Sequence, residues 1–444
     1  MDITHPDLHP LYADHLATLK SRTDTALARA GRDHLVLAAG TPRYEFLDDK
    51  PYPFAVNPWF KHWVPVTKAP GSWLVYTPGQ KPKLVYLQPH DYWHVVPEAP
   101  AGYWVEHFHI AIIREAADAV KHLPKDPARS AISGEDIAKV GPFAPDNPKA
   151  LLDHLHWHRT YKTPYELAMM RVTSKIGARA HRAAEAAFRG GASEFGIQMA
   201  YLDAARQTEN ELPYSNIVAL NEHGAVLHYT DFNHAPPAHF HSFLIDAGAS
   251  FHGYASDITR THAAAGADEF AALIDAVDDA QLGFCAMVKK GQSYPDLHVH
   301  AHHVLANILR EHGFIRMSAE SAVESGVSST FFPHGLGHGI GLQVHDVAGF
   351  QESERGGTIP KPPGHPYLRL TRKLEPGMVT TIEPGIYFID MLLAELRKKP
   401  VAKDVNWDKV DAFRKYGGIR IEDDVVCTNG EPENLTREAF AAAV

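Results

Sequence analysis

The stretch HGLGHGIGLQVHD, residues His334–Asp346, places three histidines and four glycines within thirteen residues. Because glycine disfavours helix formation, we predict a loop-and-strand segment rather than a helix. Glycine also lets the backbone bend and approach other groups closely. Histidines that are four and seven residues apart can then reach one cavity. The glycines do not fall at the positions of the dinucleotide-binding fingerprint, so the segment indicates a site that uses imidazole groups.

Two aspartates flank a predicted turn in SFLIDAGASFHGYASDITRTH, residues Ser242–His262. The pattern predicts two strands joined near residues 251–253, with Asp246 and Asp257 almost symmetric about the turn. Opposed positions in a hairpin point to the same face, so we expect the two carboxylates to lie side by side. Adjacent like charges repel each other, and a bound cation would relieve that repulsion. The alternative is that each aspartate caps a turn.

Two further acidic residues follow strand-like runs. Glu383 ends the apolar part of GMVTTIEPGIYF (Gly377–Phe388), just before a predicted Pro-Gly turn. A carboxylate in such a run would be buried and would need a partner. In GGIRIEDDVVC (Gly417–Cys427), the period-2 alternation puts Arg420 and Glu422 on one face. The alternative for this strand is a solvated edge with a surface arginine.

Together these motifs supply four carboxylates and one imidazole, from Asp246, Asp257, His338, Glu383 and Glu422. Four carboxylates balance the charge of two divalent cations. A site dominated by carboxylates suits Mn²⁺ better than zinc, which favours thiolates. Two such ions can share a bridging hydroxide that is nucleophilic at neutral pH. The sequence has no zinc-finger spacing, HExxH, GxSxG or P-loop motif.

Composition restricts the class of protein. The chain has 444 residues, which suits two domains, and its 45% hydrophobic and 22% charged residues are typical of a soluble globular protein. A net charge of −10 without a long basic run argues against a nucleic-acid partner. No stretch approaches the roughly 20 apolar residues of a membrane span, and MDITHPDLHP lacks a secretory leader pattern. Cys285 and Cys427 form no CxxC motif, so we expect a reducing compartment, the cytoplasm.

The expected organisation is an α/β domain over residues 1–160 and an α+β domain over residues 161–444. The runs HLVLAAG, SWLVYT and KLVYLQ predict strands in the first domain. Residues 43–65, rich in proline and aromatics, predict an irregular loop that either packs on the surface or makes a binding or dimer contact. Thr163-Pro164 with Glu166 predicts the start of a helix that stops at Gly190.

The four motifs together resemble, in kind and order, those of the pita-bread metallopeptidases, which include methionine aminopeptidase, aminopeptidase P and prolidase. The resemblance covers nearly the whole chain. The N-terminal α/β domain is similar to that of the creatinase/prolidase branch. Two stretches, LDDKPYPFAVNPWFKHWVP and STFFPHGLGHGIGLQVHDVAGF, especially resemble the bacterial Xaa-Pro dipeptidases. The implied fold is therefore a creatinase/prolidase-type α/β domain followed by an α+β pita-bread catalytic domain.

The resemblance also implies roles for individual residues. Asp257 and Glu422 would bridge the two metal ions, Asp246 would complete one coordination shell, and His338 and Glu383 would complete the other. Glu383 would also carry the proton to the leaving nitrogen. For the substrate, the resemblance implies that His228 and His345 would hold it and stabilise the oxyanion, and that His334 and Arg369 would bind its C-terminal carboxylate. Tyr214 and Asp49 would contribute to the substrate pocket. Three further residues would orient the metal ligands: Arg420, Thr259 and Thr381. The alternatives are that His334 only supports the glycine loop and that His228 is a buried core histidine.

The function that the resemblance implies is hydrolysis of dipeptides with a C-terminal proline, carried out by a homodimer. In that dimer the loop of residues 43–65 would close the partner's pocket. Three alternatives stay open: an aminopeptidase P that cleaves longer substrates, hydrolysis of organophosphate triesters as a side activity, and an inactive relative that only binds peptides or a partner protein.

Overall fold

An α/β domain built on a five-stranded sheet forms the N-terminal part of the computed structural model, which describes residues 7–442. The strands are β1 (His34–Ala38), β2 (Trp73–Tyr76), β3 (Lys83–Leu87), β4 (His109–Ile113) and β5 (Ser130–Ser133). Their order is β4-β3-β2-β1-β5, with β1 antiparallel to β2 and parallel to β5. The three predicted strand runs coincide with β1, β2 and β3, so the prediction of an α/β domain is confirmed.

Three helices accompany this sheet: α1 (Leu8–Ala30), α2 (Pro58–Trp63) and α3 (Lys149–Arg159). Asp7 caps the start of α1, and its carboxylate accepts a hydrogen bond from the His9 amide. Gly31 caps the end of α1 and takes the left-handed conformation with φ of 64°. The prediction that there is no secretory leader rests in part on residues 1–6, which lie outside the described residues.

The prediction of an irregular loop over residues 43–65 is wrong for its second half. Helix α2 lies within this range and begins after Asn57, whose side chain accepts a hydrogen bond from the Trp59 amide. The aromatic residues of the helix are buried in the core: Trp59, Phe60 and Trp63. This burial stabilises the short helix, and tertiary packing thus outweighs the proline-rich local sequence. The first half is different, since Phe46 and Leu47 are 90% and 91% exposed.

The rest of the chain is an α+β domain, as predicted. Its helices are α4 (Pro164–Arg189), α5 (Glu194–Ala205), α6 (Asp268–Ala286), α7 (Tyr294–Glu311), α8 (Ala319–Glu324), α9 (Val327–Phe331), α10 (Asp390–Arg397), α11 (Trp407–Phe413) and α12 (Leu435–Ala442). Its strands are β6 (Ile217–Leu220), β7 (Ser242–Asp246), β8 (Ser250–Phe251), β9 (Tyr254–Ala255), β10 (Thr259–Ala263), β11 (Gln351–Ser353), β12 (Gly356–Thr358), β13 (Val379–Ile382), β14 (Gly385–Tyr387), β15 (Gly418–Arg420), β16 (Asp423–Val426) and β17 (Glu433–Asn434). Within residues 7–442, no helix combines the length and apolar character needed to cross a bilayer.

Helix α4 begins where the sequence predicts. The Thr163 amide donates to the Glu166 carboxylate at 2.9 Å, and the Glu166 amide donates to the Thr163 hydroxyl at 3.4 Å. These reciprocal bonds form a capping box that satisfies two amides at the helix start. The helix ends at Arg189, so its predicted stop at Gly190 is confirmed as well.

The hairpin that carries the two aspartates has a different register from the predicted symmetric one. Strands β7 and β10 are antiparallel, but Asp246 pairs with Thr259 rather than with Asp257. The chain between them folds into the small hairpin β8–β9, which turns at His252 and Gly253 with positive φ values of 47° and 86°. Asp257 lies two residues from Thr259, the cross-strand partner of Asp246, and therefore still shares its face.

Glu383 lies where the chain passes from one small sheet into another. Strand β13 pairs with β16, whereas β14 pairs with β15. Gly385 is the first residue of β14 and pairs with Arg420, so the predicted Pro-Gly turn is wrong. A further bridge between Thr259 and Glu422 joins this region to the β7–β10 hairpin. These pairings bring the acidic motifs to one place.

Candidate metal centre

The carboxylates of Asp246 and Asp257 share one donor. The Tyr214 hydroxyl lies 2.8 Å from Asp246 Oδ1 and 2.6 Å from Asp257 Oδ1. A hydroxyl has a single proton, so it can satisfy only one of the two carboxylates at a time. The two carboxylates therefore lie side by side, as predicted, and the alternative that each caps a separate turn does not describe this arrangement.

Arg420 and Glu422 face the same centre from the neighbouring strand. Arg420 donates to Asp246 Oδ2 at 2.7 Å, and Glu422 accepts from the Thr259 hydroxyl at 2.7 Å. Arg420 also donates to that hydroxyl at 3.3 Å. Arg420 and Glu422 are only 4% and 2% exposed, so the alternative of a solvated strand edge is wrong.

His338 lies opposite these groups with one ring nitrogen directed at carboxylates. Its Nε2 lies 3.4 Å from Asp257 Oδ2 and 3.7 Å from Glu383 Oε1. Its Nδ1 lies 3.1 Å from the Gly339 carbonyl, which fixes the proton on Nδ1. The His338 amide donates to the Thr381 hydroxyl at 3.1 Å, and the Thr381 amide donates back to the His338 carbonyl at 2.9 Å. Thr381 therefore holds the backbone on both sides of the imidazole.

The donor set fits divalent cations. Ligand atoms of Asp257, His338 and Glu422 lie within 4.8 Å of one another, and all three residues are buried. Glu383 and Asp246 adjoin this group, so four carboxylates converge on a buried space. Arg420 is the only arginine or lysine of the described residues that forms an ion pair with one of them. Buried carboxylates need compensating charge, and bound divalent cations would supply it.

The pKa shifts show the same surplus of negative charge. Burial, together with the neighbouring carboxylate of Asp257, raises the pKa of Glu422 well above its ordinary value. Burial also raises the pKa of Glu383 to about 7. Burial lowers the pKa of His338, but contact with Asp257 and Glu383 outweighs that effect and raises it to about 9.

His345 and His228 line the cavity beside this centre. The His345 ring is perpendicular to that of His338, with centroids 4.4 Å apart. Burial lowers the pKa of His345 to about 4, with further contributions from His338 and Arg369, so its imidazole is neutral near pH 7. His228 is exposed on the cavity wall. The alternative that His228 is a buried core histidine is therefore wrong.

His334 is held by the protein on both sides of its ring. Its Nε2 lies 2.8 Å from the Tyr387 hydroxyl, and its Nδ1 lies 2.8 Å from the Gly335 carbonyl. Arg420 donates to the Tyr387 hydroxyl at 2.9 Å, so that hydroxyl gives its own proton to His334 Nε2. Both ring nitrogens of His334 thus contact protein groups, which favours the alternative that this residue supports the glycine loop. Contact with a substrate carboxylate stays a prediction.

The other two predicted substrate contacts are exposed. Arg369 is exposed but close enough to His345 to lower its pKa. Asp49 is exposed on the loop of residues 43–65 and is absent from the described residues that line the cavity. Its predicted role depends on a second copy of the chain.

Sequence reasoning missed two supporting residues. Asp424 is buried, and its carboxylate accepts a hydrogen bond from the Asp257 amide at 3.0 Å. The same period-2 pattern that paired Arg420 with Glu422 continues to Asp424 and could have identified it. Tyr387, which joins Arg420 to His334, has no comparable signal, because its contacts cross between distant segments.

The cavity beside the centre has a volume of about 1230 Å³ and is lined by residues of both domains. The C-terminal domain lines it with Tyr214, His228, Asp246, Asp257 and His345. The N-terminal domain lines it with Trp59 and Lys61 of α2 and Arg159 of α3, among others. A substrate in this cavity would contact both domains.

Two family models match the chain. The Xaa-Pro dipeptidase N-terminal domain matches residues 10–157, and metallopeptidase family M24 matches residues 168–429. The Xaa-Pro dipeptidase of Xanthomonas campestris pv. campestris (strain 8004) is 61% identical over 440 residues, which cover 99% of this chain and 100% of that protein. The Xaa-Pro dipeptidase of Stenotrophomonas maltophilia (strain K279a) is 60% identical over 433 residues, covering 98% of each.

Solved structures share the fold at lower identity. Aminopeptidase PepP of Pseudomonas aeruginosa has a TM-score of 0.70 and 22% identity, with 96% of this chain and 98% of that chain covered. Aminopeptidase P of E. coli with the inhibitor Pro-Leu has a TM-score of 0.69 and 22% identity, with 96% and 97% covered. At this identity the likeness establishes the two-domain architecture alone.

Proposed function

This chain belongs to metallopeptidase family M24 and to its Xaa-Pro dipeptidases, and we propose that it hydrolyses dipeptides with a C-terminal proline by a two-metal mechanism. The observation that carries the proposal is the convergence of four carboxylates, two buried and two partly buried, and one buried imidazole on a single space. The proposed metal ligands are Asp246, Asp257, His338, Glu383 and Glu422. Divalent cations held there would polarise the scissile carbonyl and make water nucleophilic at neutral pH.

The protein's own groups would orient the substrate and move the proton. Glu383, whose carboxylate lies 3.7 Å from His338 Nε2 at the proposed metal centre, would accept a proton from the nucleophilic water and then release it to the leaving nitrogen. His345 and His228 line the same cavity, and their imidazoles would donate to the developing oxyanion. Arg420, Thr259 and Thr381 would hold the ligands in place, since each contacts a ligand directly.

The test compares dipeptide turnover in the native protein and in Asp257→Asn after reconstitution with Mn²⁺. We expect cleavage of Ala-Pro, with a loss of at least about a hundredfold in the variant, because Asp257 is a proposed bridging ligand. The matched control is Asp203→Asn, since Asp203 is exposed on α5 and paired with Arg206. Turnover that is unchanged in Asp257→Asn, or a native protein that retains no Mn²⁺, would contradict the proposal.

The same preparation distinguishes the alternatives. Preference for Ala-Pro-Ala over Ala-Pro would indicate an aminopeptidase P. Two bound Mn²⁺ ions without any turnover would indicate a relative that only binds. Hydrolysis of phosphate triesters is a second candidate activity, and the volume of the cavity, about 1230 Å³, favours it. Release of the phenol from an aryl dialkyl phosphate measures this activity.

We also propose Mn²⁺ as the metal, a homodimer and a cytoplasmic location. The carboxylate-rich donor set supports the choice of metal. The exposed side chains of Phe46 and Leu47 support the role of the 43–65 loop, with Asp49, in closing a partner's pocket. The free, buried thiols of Cys285 and Cys427 suit a reducing compartment. Light scattering that gives a monomer mass at working concentration would contradict the dimer.

A further inference from the structure

Lys61 brings an unpaired ammonium group to the wall of the cavity. It lies on α2, in the N-terminal domain, and lines the same space as His345. Its aliphatic chain packs against Gly253, where an added Cβ would lie 2.6 Å from Lys61 Cδ. Within the described part of the chain, the ammonium has no hydrogen bond or ion pair. The side chain is therefore held at the wall without a direct ion pair to the protein.

The groups around Lys61 carry more positive than negative charge. Arg159 and Lys162 both pair with Asp346, at 3.0 Å and 2.9 Å. Asp346 also attracts Lys61, so three cations share one carboxylate. One guanidinium nitrogen of Arg159 is buried without a hydrogen-bond partner. Buried cations are normally paired, so this region lacks an anion.

No other acidic side chain of the described cavity wall is available to Lys61. Glu135 is paired with Arg43, and Glu211 is paired with Lys68. The remaining carboxylates of the wall, Asp246 and Asp257, belong to the proposed metal centre. The missing anion must therefore come from whatever enters the cavity.

The charge on Lys61 persists near neutral pH. Burial, with repulsion from Arg159, lowers its pKa to about 8. At pH 7 the amine is therefore still mostly protonated, and a partly desolvated ammonium binds a carboxylate more strongly than an exposed one does.

We propose that Lys61, backed by Arg159, forms a carboxylate-binding subsite on the N-terminal-domain side of the cavity. The proposal rests on the proposed dipeptidase function, which supplies two possible carboxylates. One is the C-terminal carboxylate of proline, for which His334 has no free ring nitrogen in this structure. The other is the side chain of an aspartate or glutamate that precedes proline.

Kinetics on three dipeptides distinguish these two sources. The proteins are the Mn²⁺-loaded native chain, Lys61→Met and Lys61→Arg, and the substrates are Ala-Pro, Gln-Pro and Glu-Pro. If the subsite binds the proline carboxylate, Lys61→Met raises KM about tenfold for all three. If it binds an acidic side chain, the native protein prefers Glu-Pro to Gln-Pro, and Lys61→Met removes that preference. In both cases Lys61→Arg, which keeps the charge, retains most of the native behaviour.

The matched control is Lys68→Met. Lys68 lies at the rim of the same cavity, but its side chain is 77% exposed and already paired with Glu211 at 2.7 Å. This variant removes the same charge from the same cavity, so it measures the general electrostatic effect. We expect its KM values to stay within about twofold of the native ones. Equal KM values in Lys61→Met and the native protein for all three substrates would overturn the subsite.

Calorimetric titration of Glu-Pro into metal-free protein tests the subsite without turnover. We expect Lys61→Met to weaken binding about tenfold and Lys61→Arg to restore it. Equal dissociation constants would overturn the subsite even if the native enzyme cleaves Ala-Pro. Conversely, Lys61-dependent binding in a protein that cleaves no dipeptide would contradict the proposed function while it supports the subsite.

Discussion

At the scale of single residues, the three histidines of the glycine-rich stretch differ because their neighbours differ. His338 Nε2 faces the carboxylates of Asp257 and Glu383. His345 faces the cavity and is neutral. His334 is bonded to protein groups through both nitrogens. An identical side chain thus serves as a proposed ligand, a proposed substrate contact and a support, depending on what occupies its ring nitrogens.

The first prediction concerns Thr259, whose hydroxyl donates to Glu422 and accepts from Arg420. Thr259→Val keeps the shape but removes both bonds. We expect Mn²⁺ affinity to fall about 10- to 100-fold, because residues that orient metal ligands have effects of this size. Titration of each metal-free protein with Mn²⁺ measures this affinity. The control is Thr358→Val at an exposed position of strand β12, and equal affinity in both variants would contradict the role of Thr259.

At the scale of elements, close backbone approach explains why particular glycines flank His338. A Cβ on Gly337 would overlap the Thr381 carbonyl and the Tyr294 hydroxyl. Thr381 belongs to β13 and holds the His338 backbone. In contrast, the nearest atom to a Cβ on Gly339 is 4.0 Å away. The loop can therefore lie against β13 only because residue 337 lacks a side chain.

The second prediction follows from this difference between neighbouring glycines. Gly337→Ala would push the loop away from β13 and displace the His338 imidazole. We expect it to lose at least about tenfold in Mn²⁺ affinity and to melt at a lower temperature than the native protein. Gly339→Ala should keep both properties. Equal metal affinity in the two variants would show that the close approach at Gly337 does not position His338.

At the scale of the whole molecule, the two predicted domains share a continuous interior. One hydrophobic cluster contains Leu155 of α3 and Met169 of α4. Arg159, the last residue of α3, and Lys162, between the two helices, pair with the buried side chain of Asp346 in the glycine-rich stretch. The boundary near residue 160 stays a prediction, and the packing shows that the N-terminal domain supports the cavity directly.

The third prediction concerns the stability of the whole protein at mildly acidic pH. Four fully buried histidines have pKa values lowered mainly by burial, to about 4 for His15, about 3 for His181 and His302, and about 2 for His298. The unfolded chain binds these protons at an ordinary pKa of about 6.5, whereas the folded protein does not. The contribution of these four histidines to the free energy of unfolding is therefore fully present above about pH 6.5, and it is lost progressively as the pH falls below that value.

Thermal melting between pH 7.5 and 5 measures this loss. Each such histidine contributes about 1.4 kcal/mol per pH unit below about pH 6.5. His181→Gln can keep a donor to the Ala247 carbonyl, which lies 2.9 Å from His181 Nε2, and should flatten the pH dependence. His90→Gln at an exposed position should not. A melting temperature that is independent of pH across this range would contradict the prediction.

Local sequence was sufficient to predict the features that depend on neighbouring residues along the chain. The capping box of Thr163 and Glu166 and the strands β1 to β3 follow from such patterns. The acidic and histidine residues that converge on the centre could also be selected, because carboxylates in apolar strand-like runs require partners when buried.

Only the tertiary structure decided which groups meet. Tyr214 joins Asp246 to Asp257, and Tyr387 joins Arg420 to His334, although these residues are far apart in the chain. The β8–β9 turn determines the register of the aspartate hairpin. Lys61 lacks a counter-ion because of what packs around it from both domains. Hydrogen bonding and charge balance in a buried site depend on distances between remote segments, and those distances exist only once the chain has folded.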